Sequence, residues 1–278
     1  MLASSITPLT EPYFQAMQHP LKTVRDATSL DAFVQKINES FDPLISEETI
    51  YRFYLVRHGE SEGNKKKICA GQTKEQGVDK LTPEGVEEAK EVGQKLRMEQ
   101  ASQGWTFDFA VSSPSLRAIE TAANIVSQFD KQPASLPVDP RLYEKNYGKY
   151  DGKVMDQPYQ EMKKTGEKKL NSLPTCWDKF NFRFDENDSK EETMKQIFDR
   201  VMTFLETKSG QRGLAATHCN VLKSVIMAEA ALNYDLDLEV NWFDMPNGSM
   251  IVVDVTPEKV KLVRIEGIKF RMPTQEKK

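Results

Sequence analysis

Tyr51-Arg52-Phe53-Tyr54-Leu55-Val56-Arg57-His58-Gly59-Glu60-Ser61-Glu62-Gly63-Asn64 is the stretch on which the reading of this chain turns. It opens as an apolar and aromatic run of strand length and closes in a polar loop punctuated by glycine. Arg57 and His58 stand side by side where the strand ends, and in an open parallel sheet that edge is where ligands bind. Arg57 offers a planar fork of donors suited to a phosphate or a carboxylate. His58 is a nitrogen base that titrates near neutrality and also serves as a nucleophile. Gly59 and Gly63 let the backbone approach an anion closely.

The chain has 278 residues and 38% hydrophobic content, enough for one sizeable core with an appendage. A formal net charge of -4 argues against a general nucleic-acid binder, which is usually basic. The mean hydropathy of -0.58 and the absence of a long uncharged apolar run predict no transmembrane helix. The first residues lack the basic start and apolar run of a secretory signal. Cys69, Cys176 and Cys219 are few and odd in number, which fits a reducing compartment and makes the cytoplasm the default expectation.

Outward from the central stretch, residues 1–28 carry Pro8, Pro12 and Pro20 and read as an irregular or mobile arm. Leu30, Phe33, Val34, Ile37 and Phe41 recur at helical spacing, with Thr28 and Ser29 as caps and Asp42-Pro43 as the stop. Residues 1–50 are thus a partly helical extension whose apolar stripe packs on the core. Lys65-Lys66-Lys67 reads as a solvated run, with a basic rim that draws in anions as the sharper alternative. Thr82-Pro83 opens a helix with Val86, Ala89, Val92 and Leu96 inward. Phe107 to Val111 is a second strand. After it, Ser113 caps a helix led by Pro114, with Leu116, Ile119, Ala123 and Val126 facing inward. Arg117 lies in the first turn and tilts back towards the sheet edge that holds His58. Its sign is wrong for the helix dipole, which an anion at that spot would explain.

Leu136 to Val138 reads as a short strand. Residues 153–190 show no clear period and hold Pro158 and Pro174, so they read as loops. Trp177, Phe180, Phe182 and Phe184 there are expected to pack on the core rather than to cover a pocket. Ser189-Lys190-Glu191-Glu192 makes a capping box for a helix with Met194, Ile197, Val201, Phe204 and Leu205 buried. Arg212 to Thr217 is a buried strand ending at His218, after which Leu222, Val225, Ile226 and Ala230 define a helix. Two of the three histidines therefore occupy equivalent strand-to-helix junctions. A hairpin of Ser249–Val255 and Val260–Ile265 closes the chain, and the tail from Met272 is expected to be disordered.

Arg57-His58-Gly59 with Ser61 and Asn64, the segment around Arg117, the run Arg141 to Gly152 and the junction at His218 together resemble the histidine phosphatase superfamily, also called phosphoglycerate mutase-like. The resemblance covers roughly residues 51–265. It implies a three-layer α/β/α domain with a mostly parallel central sheet, placed at 51–271 after the extension, with a variable cap at about 152–190. It also implies a metal-independent phosphomonoester hydrolase without cofactor, acting on a phosphorylated small molecule or a phosphoprotein. In that assignment His58 forms a phosphohistidine, Glu144 is the proton donor, and a charged His218 completes the catalytic set. Arg57, Arg117, Asn64 and Ser61 bind phosphate. Cys219 stands where the family often has glycine, and Gly63 where mutases usually have tryptophan. The cap region shows no paired arginines to clamp a phosphoglycerate carboxylate, so a phosphatase is favoured over a phosphoglycerate-type mutase.

Three other arrangements compete with this one. Gly59-Glu60-Ser61-Glu62-Gly63 fits a nucleophile elbow, with Asp188 and His218 following in order. That arrangement needs several strands and a glycine-rich oxyanion loop upstream, and residues 1–50 offer neither. A zinc site needs closely spaced ligands, which the scattered histidines and cysteines do not provide. A catalytically inactive module binding a phosphorylated partner is the remaining alternative.

Overall fold

Tyr51–Arg57 is the middle strand of a five-stranded sheet in the computed structural model. The structure describes residues 10–19, 21–23, 27–72, 77–133, 135–208, 212–234, 236–238 and 243–270. The tail from Met272 and the first nine residues of the arm lie outside this set. The elements run α1 (Glu11–Gln18), β1 (Lys22–Thr23), α2 (Ala27–Glu39), β2 (Tyr51–Arg57), α3 (Glu62–Lys65), α4 (Pro83–Gln103), β3 (Phe109–Ser112) and α5 (Leu116–Val126). They continue with α6 (Gln157–Asn171), α7 (Cys176–Phe180), α8 (Met194–Glu206), β4 (Arg212–Thr217), α9 (Cys219–Tyr234), β5 (Leu236–Asp237), β6 (Phe243–Asp244), β7 (Met250–Val255), β8 (Val260–Glu266) and β9 (Lys269–Phe270).

The sheet order is β3-β4-β2-β7-β8, with β3, β4 and β2 parallel and the β7–β8 hairpin added antiparallel. Successive side chains of a strand point to opposite faces, which divides the core in two. Phe53, Leu55, Ala215, Ile251 and Val253 join the side chains of α8 and α9 on one face. Tyr54, Val56, Leu214 and Val252 meet Ala89 and Leu96 of α4 and Ile125 of α5 on the other. Being covered on both sides is why β2 reads as a continuous apolar run rather than an alternating one. Arg52 interrupts that run but is paired bidentately with Asp254 across the β2–β7 ladder, at 2.6 and 2.8 Å. This is an α/β fold of three layers, as expected. No helix among the described residues is long and apolar enough to cross a membrane.

Several local expectations are corrected. The arm contains α1, with Pro12 in its first turn and Tyr13, Phe14 and Met17 buried in the core. The next helix begins at Ala27, so Thr28 and Ser29 lie inside its first turn rather than capping it. It ends at Glu39, and Phe33 and Ile37 are buried in the core. Ser115, not Ser113, is the N-cap residue of α5. Its inward face is Arg117, Ala118, Thr121, Ala122 and Ile125, while Leu116 and Ala123 are exposed. Turning Arg117 into the interior rotates the whole stripe away from the one that the apolar residues alone predict. Leu136 to Val138 contributes only a bridge, Ser112 to Val138. Residues 153–190 contain α6 and α7 rather than loops alone, and among the described residues of α6 only Gly166 and Leu170 are buried, which leaves its period faint in the sequence. The capping box of α8 is Thr193 with Gln196, because Ser189 belongs to a turn in which Asp188 accepts the Lys149 and Lys190 N–H groups.

Candidate active site

The β2, β4 and β3 ladders each extend beyond their strands at one edge of the sheet. The His58 N–H donates to the Thr217 carbonyl at 2.9 Å, and the Ser113 N–H to the Ala216 carbonyl at 2.9 Å. Strand register therefore brings His58, His218 and Ser113 together. The loop after His58 is held by α4 and α5. The Gly59 N–H donates to Thr121 Oγ1 at 3.0 Å. A Cβ on Gly59 would sit 2.2 Å from the Gly85 carbonyl oxygen, and one on Gly85 would sit 2.0 Å from that of Glu60. Backbone lies on backbone here, so only glycine fits at either position. Arg57, His58, Asn64, Arg117 and Glu144 line one cavity of about 280 Å³.

Arg117 is the hub of this cavity and is 1% exposed. Its Nε–H donates to His58 Nε2 at 3.2 Å, and its Nη1 pairs with Asp79. Its Nη2 donates to the carbonyls of Ala70 and Gly71 at 3.0 and 2.9 Å and lies 3.3 Å from His218 Nδ1. These contacts fix both imidazoles. His58 Nδ1 is 2.7 Å from the Gly59 carbonyl, an acceptor only, so the proton sits on Nδ1 and Nε2 keeps a lone pair. His218 Nδ1 faces the Arg117 guanidinium, which can only donate, so the ring proton sits on Nε2, 2.8 Å from Ser113 Oγ. Burial, then the charges of Arg117 and Arg57, hold His58 well below the ordinary imidazole pKa. Burial and Arg117 do the same to His218. The charged His218 that the resemblance implies belongs to the phosphate-bound state; in the free site burial and Arg117 favour the neutral ring. Arg57 donates to the Met245 carbonyl through Nη1, while its buried Nε–H has no partner among the described residues.

Glu144 lies in an irregular loop yet is 6% exposed, contrary to the solvated acid that such a loop suggests. Arg200 of α8 explains this by donating to the carbonyls of Arg141 and Glu144 at 2.7 and 3.2 Å. The Thr217 hydroxyl binds the Leu142 carbonyl at 2.9 Å. The Glu144 carboxylate accepts the N–H of Lys145 at 2.7 Å and that of Asn220 at 3.3 Å. Asn64 lines the cavity, whereas Ser61 does not. Ser61 is fully buried, and its hydroxyl accepts the Asn64 N–H in the capping box of α3. The elbow reading fails on the same ground, since Ser61 Oγ bonds Asn64 rather than a histidine.

Asp79 and Ser113, which orient Arg117 and His218, went unrecognised in the sequence. A single acid ahead of Leu81-Thr82-Pro83 carries no periodic signal, and Ser113 read as a helix cap. Of the cap aromatics, Phe180 is in the core and Trp177 packs against it, while Phe182 and Phe184 line the cavity. Among the described residues no three His, Cys, Asp or Glu side chains converge as a metal-binding group.

Comparison with known proteins bears on this geometry. The family model described as the histidine phosphatase superfamily (branch 1) matches residues 53–267. A 2,3-bisphosphoglycerate-dependent phosphoglycerate mutase of Parvibaculum lavamentivorans is 30% identical over 218 residues, covering 76% of this chain and 93% of the relative. Among solved structures, a phosphoglycerate mutase of Bacillus anthracis aligns with a TM-score of 0.57 at 19% identity, over 77% of this chain and 92% of its own. A phosphoserine phosphatase mutant of Entamoeba histolytica, solved with phosphoserine, aligns with a TM-score of 0.56 at 20% identity, over 78% and 96%. At those identities the two structures speak to the fold alone.

Proposed function

The chain belongs to the histidine phosphatase superfamily, and from that premise we propose that it is a phosphomonoester hydrolase working through a phosphohistidine on His58. The observation that carries the reading is the state of His58: neutral, anchored through Nδ1–H on Gly59, with an unprotonated Nε2 whose lone pair accepts the Arg117 Nε–H at 3.2 Å, a bond the arriving phosphoryl group takes over before attack. A nucleophile needs that lone pair, and the guanidinium beside it is placed for the oxygens of the group under attack.

In the first step Nε2 of His58 forms a bond to phosphorus as the ester P–O bond breaks. Glu144 gives its proton to the departing oxygen. Arg57 and Arg117 hold the equatorial oxygens, and Asn64 adds a hydrogen bond from the rim. His218, held by Ser113, is neutral in the free site and lies behind Arg117 rather than on the cavity wall, where it positions the guanidinium. In the second step water attacks phosphorus, Glu144 takes its proton, and the P–N bond breaks to restore neutral His58.

A phosphomutase is the second reading, favoured by the 30% identity to a phosphoglycerate mutase. Against it, neither Arg183 nor Arg200 lines the cavity; both are bound within the protein, to the Glu191 carbonyl and to Glu192. Phosphate release from a panel of phosphomonoesters, with His58→Ala in parallel and with interconversion of 2- and 3-phosphoglycerate followed separately, tests the choice. Release lost in the variant supports the hydrolase. Interconversion without release establishes the mutase, and phosphate binding without either reaction leaves the inactive module.

A further inference from the structure

We propose that the N-terminal extension shapes the substrate pocket from behind its wall: it sets Lys179 of α7 as the contact for a second anionic group on the phosphorylated substrate. This rests on the hydrolase reading of the same site. The matched family region begins at residue 53, after α1, β1 and α2, so the extension is an addition to the common domain.

Two arms of the extension converge on one side chain. Lys179 lines the cavity with His58 and is 6% exposed. Its ammonium lies 2.5 Å from Asp237 Oδ2. Asp237 sits in β5, which is paired in parallel with β1 of the extension, Thr23 opposite Asp237. The other arm is α1, which packs against α7 itself. Phe14 meets Trp177 edge-on at 5.3 Å, and Tyr13 and Phe14 both contact Phe198, which in turn contacts Phe180 beside Lys179. The extension thus holds both the helix that carries the lysine and the strand that carries its counter-ion.

Charge at the cavity wall defines what Lys179 would meet. Among the described lining residues the cations are Arg57, Arg117, Lys145, Lys163, Lys179 and Lys223 and the one carboxylate is Glu144, the acids paired with Arg117, Lys145 and Lys179 standing off the wall. Arg57 and Arg117 stand beside His58, where one phosphoryl group would lie. Of the buried pair only Lys179 borders the cavity, so a substrate in it would meet the lysine and not its counter-ion. Lys145 repeats the pattern with Glu191 behind it at 2.7 Å. A buried ammonium held in this way is a fixed donor whose ordering cost is met by the fold, which favours discrimination over bulk affinity.

The test compares kcat and KM for two matched pairs. These are 3-phosphoglycerate against glycerol 3-phosphate, for a carboxylate, and fructose 1,6-bisphosphate against fructose 6-phosphate, for a phosphate. The wild type is expected to prefer the two-anion member of at least one pair. In Lys179→Met that preference falls by about ten-fold or more through KM, as expected for loss of one charge contact. Phe14→Leu, which keeps the ion pair but loosens α1 on α7, shifts the same ratio in the same direction by less. A wild type without preference, or variants that lower kcat for both members equally, overturns the proposal while leaving the hydrolase reading intact. If Lys179→Met does not fold, Phe14→Leu decides, and an unchanged ratio there overturns it. A wild type that hydrolyses none of these compounds, nor p-nitrophenyl phosphate, overturns the hydrolase reading and this inference with it.

Discussion

At the scale of single residues the account depends on two neutral imidazoles in opposite tautomers, the proton on Nδ1 in His58 and on Nε2 in His218. Both pKa values are depressed by burial and by Arg117. The unfolded imidazoles therefore take up protons first as pH falls. The stability these groups contribute is complete above about pH 6.5 and declines below it, by up to about 1.4 kcal/mol per pH unit for each histidine. Nitrogen-15 spectra of the two rings should show the two tautomers at pH 7 and no protonation midpoint near 6.5; a midpoint at or above that value contradicts the assignment. Asp79→Asn should lower kcat/KM by about ten- to a hundred-fold by freeing Arg117, whose orientation the charge-assisted bond fixes. Steady-state kinetics at wild-type kcat/KM would show that Arg117 needs no such support. Arg57, His58, Arg117 and His218 were legible in the sequence because each stands at the end of a readable strand or the start of a readable helix. Glu144 was legible only through resemblance, since its burial comes from Arg200, 56 residues away.

At the scale of elements, strands and amphipathic helices were readable wherever one face is apolar. The departures arose where a polar group does the packing. Burying Arg117 turns α5 by about one residue, and the turn around Asp188 moves the start of α8 from Ser189 to Thr193. Thr193→Ala should cost about 1 kcal/mol, as N-cap losses do, whereas Ser189→Ala should be close to neutral. Urea unfolding of the two variants checks this, and the reverse order would restore the capping box first read from the sequence. Gly85→Ala should reduce activity and stability together, because its methyl group meets the Glu60 backbone that carries the catalytic loop. Melting and phosphatase assays at wild-type values would mean that the loop has more freedom than the contact implies.

At the scale of the whole molecule, the sheet places the reactive residues and the extension completes one face of the core. Neither the extension's strand pairing nor its contact with α7 was readable, because both join segments more than 150 residues apart in sequence. Glu229 of α9 is 2% exposed on that face, and burial raises its pKa to about 7. With the folded value raised above the unfolded one, its favourable contribution is present at low pH and lost as pH rises through about 7. Glu229→Gln should therefore gain up to about 3 kcal/mol relative to the wild type at pH 8, with the difference shrinking in acid. Chemical denaturation at pH 5 and pH 8 reads the difference, and an equal effect at both would contradict it. The central claim is that the assembled site moves a phosphoryl group onto His58. Rapid quenching of the wild-type chain with substrate, followed by peptide mass spectrometry under alkaline conditions that preserve phosphohistidine, tests it most directly. The account predicts one added phosphoryl group on the peptide containing His58 within a turnover and none in His58→Ala. Turnover with an unmodified His58, or a phosphoryl group on another residue, would contradict it.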